Sequence, residues 1–127
     1  MERVRRSHPC AAQVTDHHHN YLVYHGGAFA MWHANTFDVQ AWRLYLVQTT
    51  GNATFSYVDA ATQKTVRRPE VATGGGDPYT VARLFRIGRC GRTWHSILVD
   101  SGVRFSFGFM LTDATAADLA RRGRAVS

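Results

Sequence analysis

Lysine is almost missing from this 127-residue chain: Lys64 stands alone, and the other 14 of its 15 cationic residues are arginines. Cysteine is scarce as well. Cys10 and Cys90 are the two thiols, too few for a disulfide framework, and so far apart in a chain with this composition they are expected to be free. Only three prolines interrupt the chain, and no apolar run approaches the ~20 residues needed for a membrane-spanning helix. The opening Met-Glu-Arg-Val-Arg-Arg-Ser leads into no apolar h-region, so the expected setting is cytoplasmic. Nine acidic residues leave a formal charge of +6. Acidic partners fit that balance, because arginine makes forked contacts with phosphate and carboxylate.

What is present is enough apolar residue, 45 %, to build one domain over 1–127 without covalent staples. Residues 21–33 alternate β-branched and aromatic residues around Gly26-Gly27 and predict two strands joined as a hairpin. Residues 42–48 and 53–58 predict a second pair of strands about Thr50-Gly51-Asn52. Residues 65–78, with Arg67-Arg68-Pro69 and Gly74-Gly75-Gly76-Asp77-Pro78, have the composition of a flexible surface loop. The segment 91–101 is open to two readings: a strand turning at Ser101-Gly102 into 103–109, whose Val103, Phe105, Phe107 and Phe109 would form a buried face, or a helix capped at Gly102. Asp113 is the expected N-cap of a last helix through Arg122.

Seven histidines raise the question of a metal, above all His17-His18-His19 with His25 and His33. Neighbouring strand residues point to opposite faces, and no tetrahedral ligand spacing occurs, so no metal or other cofactor is expected. A serine hydrolase lacks its GxSxG elbow. A cysteine nucleophile is better placed: Gly88 and Gly91 flank Cys90 and leave room for backbone N–H groups to meet an oxyanion, while a nearby imidazole would favour the thiolate.

The segment His19-Asn-Tyr-Leu-Val-Tyr-His-Gly-Gly27 and the segment Arg89-Cys90-Gly91-Arg92-Thr93, in this order and separation, resemble the H-box and NC-box of the lecithin:retinol acyltransferase-like proteins, and most of all their picornaviral (kobuvirus-type) 2A members. The resemblance implies an α+β fold, a small antiparallel β-sheet packed with helices in a permuted papain-like (NlpC-type) architecture, with 91–101 as a helix. It implies His19 as general base and Cys90 as nucleophile, with His33 as the third member if a three-residue turn at 25–27 sets it opposite His19; a two-residue Gly-Gly turn pairs it with Asn20 instead. It further implies a viral nonstructural protein of the host cytoplasm or its replication membranes, acting in RNA replication and host-factor interaction, without polyprotein protease activity. The chain departs from the family at Arg89, where asparagine precedes the cysteine, and at Gly91-Arg92, where Glu-His follows it. Three functions are consistent with the residues: an interaction module with a vestigial thiol site, its arginine clusters Arg5-Arg6, Arg67-Arg68 and Arg121-Arg122 meeting RNA, acidic lipid, or host or viral proteins; an active Cys–His acyltransferase or phospholipase; and a non-enzymatic β-rich structural or RNA-binding protein.

Overall fold

The computed structural model describes residues 19–34, 41–88 and 91–122. Eight strands run β1 (His19–His25), β2 (Phe29–His33), β3 (Ala41–Thr49), β4 (Asn52–Val58), β5 (Thr65–Val71), β6 (Tyr79–Ile87), β7 (His95–Ser101) and β8 (Val103–Leu111), followed by helix α1 (Asp113–Arg122). They form two four-stranded antiparallel sheets of order β1-β8-β3-β6 and β2-β7-β4-β5. That pair of orders is the topology of a jelly roll, two interleaved Greek keys closed into a sandwich. No helix among the described residues is long and apolar enough to cross a membrane.

The strands predicted at 21–33, 42–48 and 53–58 are present, but their pairing differs from a hairpin. β1 pairs with β8 and β2 with β7, so the Gly26-Gly27 turn steps from one sheet to the other; Gly27 N–H donates to the Val99 carbonyl at 2.7 Å. The same step occurs between β3 and β4 at Gly51 and between β7 and β8 at Gly102. Alternation along a strand reports which side chains share a face, not which strand lies beside it, and short connections served two sheets here. Residues 95–101 are strand β7, which corrects the helix expected over 91–101: Ile97 and Val99 alternate with exposed Leu98 and Asp100, a period of two that buries β-branched residues. The predicted loop 65–78 begins as strand β5. It is an edge strand that pairs with β4, a position where Pro69 is tolerated.

The core between the sheets holds Ala41, Phe85, Ile87 and Met110 from one and Ala53, Phe55, Tyr57, Ile97 and Val99 from the other. The ring of Tyr45 stacks on Phe85 at 4.9 Å and Phe55 lies 6.1 Å from Phe85 across the sandwich. β8 turns the opposite face inward from the one its sequence suggests. Arg104, Ser106 and Met110 are buried there, whereas Phe105 and Phe107 are 37 % and 47 % exposed. The outer face of this sheet is covered at one end by α1, where Ala116 packs against Leu84, Leu111, Trp42, Leu44 and Phe109. The cap of α1 is Thr112 rather than Asp113: its hydroxyl accepts from the Thr115 N–H at 3.2 Å, and Asp113 sits in the first turn.

Candidate functional site

Three arginines, Arg43, Arg83 and Arg104, occupy inward positions on β3, β6 and β8, each 2 % exposed or less; Arg104 lies opposite Thr49 and Arg83 opposite Tyr45, whereas Arg43 pairs with Phe85 and Met110 toward the other end of β3. Glu70 of β5, completely buried, reaches across from the other sheet. Arg104 Nε donates to Glu70 Oε1 at 2.7 Å and Arg83 Nη2 donates to Oε2 at 3.0 Å, so one carboxylate serves two guanidiniums. The Arg83 guanidinium also lies 4.4 Å from the Phe55 ring centre and that of Arg43 lies 5.4 Å from Tyr45, cation–π contacts in a dry setting. Two buried N–H groups of the pair, Arg83 Nε and Arg104 Nη1, have no hydrogen-bond partner among the described residues.

Beside this cluster, His33 of β2 and His95 of β7 are cross-strand partners with ring centres 4.3 Å apart. A register irregularity in β2 between Ala30 and His33 turns both residues toward the core. Each imidazole is oriented by the carbonyl two residues earlier in the chain: Nδ1–H of His95 donates to the Thr93 carbonyl at 3.0 Å, and that of His33 to the Met31 carbonyl at 2.6 Å. Burial pushes the His95 pKa down to about 4, with His33 and Arg104 acting in the same direction against the Thr93 hydrogen bond. His95 is therefore neutral at pH 7. Its ring contacts Phe85 at 4.8 Å and Phe55 at 5.7 Å. These groups border a partly open cavity of about 50 Å³ lined by Tyr24, His33, Arg83, His95, Arg104 and Ser106, among others.

Of the residues expected to carry thiol chemistry, His33 is in this cavity, but its partner is His95 rather than His19 or Asn20. His19 lies opposite Phe109 on β1, in the other sheet. Cys90, Arg89 and the side chain of His19 lie outside the described residues, as do Cys10, His17 and His18. Glu70, Arg83, Arg104 and His95 were missed. Glu70 falls within the segment 65–78 expected to be a loop, and the arginine clusters at 5–6, 67–68 and 121–122 do not include Arg83 or Arg104. The available signal is their setting: Arg43, Arg83 and Arg104 each have no adjacent arginine and lie among apolar and aromatic residues, unlike the paired arginines at 67–68 and 121–122. Among the described residues no group of three or more His, Cys, Asp or Glu side chains could hold a metal ion. What the site can do is pair anions with guanidiniums and accept a hydrogen bond on a neutral imidazole nitrogen. No family model, no curated protein and no solved structure matches this chain.

Proposed function

We propose that this protein is a non-enzymatic binding module whose ligand occupies the cavity between the two sheets. The observation that carries the reading is the pair Arg83 and Arg104, both lining the cavity, on the single carboxylate of Glu70, with a buried N–H group of each left without an acceptor among the described residues. A buried ion cluster is a poor source of stability, because desolvation offsets the attraction and well-packed apolar residues do as well or better. Leaving guanidinium N–H groups without acceptors adds a further cost. A core built for stability alone would not carry these features; a recognition site would. The jelly-roll topology is neutral on the point, since it hosts capsid, lectin and cupin functions alike.

The test is a thermal-shift panel of small carboxylates, phosphate, amino acids and sugars on the wild type and on Ser106→Leu, which fills the cavity from β8. At least one ligand class should raise the melting temperature saturably in the wild type and fail to do so in the variant. A panel with no saturable shift in the wild type would reject the reading.

Thiol chemistry at Cys90, the permuted papain-like architecture and a 2A-like role in RNA replication form a separate proposal, supported by the motifs at 19–27 and 89–93. Its check is the pH dependence of Cys90 alkylation in a Cys10→Ser background. A thiolate pKa well below the ~8.5 of a free cysteine, rising with His19→Ala, supports a Cys–His pair; an ordinary value indifferent to His19 rejects it.

A further inference from the structure

The inference concerns the ligand of the inter-sheet cavity and rests on the binding-module reading above. We propose that the cavity takes a small oxyanion, held between the guanidiniums of Arg83 and Arg104 on the side away from Glu70.

Charge is the first argument. Arginine does not give up its proton in a protein, so Arg83 and Arg104 bring two positive charges to the cavity wall. Glu70 returns one negative charge, and among the described residues no aspartate or glutamate lines the cavity itself. The neighbouring His95 is neutral. One positive charge is thus unmatched in a space bounded by Tyr24, Tyr45, Phe55 and Phe85, where low polarity magnifies both the cost of a lone charge and the attraction of a counter-ion. Metal cations and amines are disfavoured by the same field.

Geometry is the second. The partners that Glu70 leaves unfilled are N–H donors, Nε of Arg83 and Nη1 of Arg104, on residues each 2 % exposed. Donors want oxygen acceptors. A guanidinium edge matches the spacing of two oxygens on a carboxylate, nitrate or phosphate, and such charge-assisted bonds are the strong ones. The neutral His95 imidazole, with Nδ1–H committed to Thr93, presents a ring nitrogen that can accept from a protonated oxygen of the same anion.

Size is the third. A volume of about 50 Å³, at roughly 10–15 Å³ per water-sized occupant, admits roughly three to five non-hydrogen atoms. Formate, acetate, nitrate and phosphate fit that bound, while sugars, nucleotides and most amino acids exceed it.

The experiment is calorimetry and thermal unfolding of the full chain with sodium formate, acetate, nitrate and phosphate, at an ionic strength held constant with chloride. At least one oxyanion should bind saturably at one site and raise the melting temperature where chloride does not. General salting effects rise without saturation and are common to all variants, so they are separable. Arg83→Met, which leaves Arg104 and Glu70 as a matched pair, should weaken oxyanion binding by about tenfold or more. Glu70→Gln, which keeps the shape and removes the competing charge, should tighten it; this arm decides if Arg83→Met does not fold. Equal affinity in wild type and Arg83→Met, or unchanged or weaker affinity in Glu70→Gln, would overturn the proposal. Saturable binding of a neutral ligand with no response to any oxyanion would overturn the ligand class while leaving the cavity as a binding site. No saturable response to any member of either panel removes both.

Discussion

His95 shows how a single position couples burial to pH. Its imidazole is 3 % exposed, between two phenylalanine rings and a second histidine, and its pKa is lowered from 6.5 to about 4. The unfolded chain therefore takes up a proton near pH 6.5 that the folded chain refuses until about pH 4. Between those values the unfolded state binds more protons, so stability falls as pH falls, and it is fully present above pH 6.5. The shift corresponds to about 3 kcal/mol across that window. Urea unfolding at pH 7.0 and pH 4.5 measures it, with His95→Gln as reference: the wild type should lose about 2–3 kcal/mol more than the variant. An equal loss in both would mean that His95 is hydrated or already charged in the folded protein. Oxyanion occupancy of the cavity would draw the His95 pKa upward, by placing a negative charge where Arg104 now disfavours the imidazolium.

Among the elements, the corners between sheets matter more than the strands they join. Gly51 and Gly102 lie against each other where β3 passes to β4 and β7 to β8. A methyl on Gly102 would stand 2.6 Å from Gly51 N, at a backbone φ of +73°, and Val103 N–H donates to the Thr50 hydroxyl at 2.9 Å beside it. Gly27 has a similar φ of +89° but open space around it. Gly27→Ala should thus cost strain alone, about 1 kcal/mol, and Gly102→Ala strain plus overlap, about 3 kcal/mol or more; denaturant midpoints of the two variants give the difference directly. Equal costs would show that the corner relaxes without loss. These corners also explain what the sequence made legible. Period-two patterns located β1 to β4, and the strand alternative for 91–101 matched β7, because alternation is local chemistry. Pairing was not legible: nothing in Tyr21–His25 specifies β8 rather than β2 as its neighbour. The face of β8 was misjudged because Phe105 and Phe107 are the apolar choice for a core, whereas a buried Arg104 makes sense only once Glu70, 34 residues earlier, is known to meet it.

At the scale of the whole molecule, the connectivity makes stability depend on the C-terminal strands. β4 and β5 are the sole sheet partners adjacent in sequence among the described strands; every other pairing joins strands that are distant along the chain. β8 lies between β1 and β3, and β7 lies between β2 and β4, so the last two strands occupy central positions in both sheets. They also deliver Arg104 and His95 to the cavity, which means that the site cannot exist before the sandwich closes. A chain ending at residue 88 keeps six of the eight described strands but leaves β1 and β2 with no partner among them and exposes the edges of β3 and β4. Unpaired strands cannot satisfy their backbone groups or bury one face, so this fragment should show neither dispersed amide resonances nor a cooperative thermal transition. The intact chain should refold slowly, on roughly the millisecond-to-second scale typical of non-local β topologies. Stopped-flow fluorescence of Trp42, Trp32 and Trp94 reports the second quantity and amide spectra of the 1–88 fragment the first. A cooperative fragment, or refolding in microseconds, would mean that the first six strands carry a fold of their own and that closure by β7 and β8 is an addition to it rather than its condition.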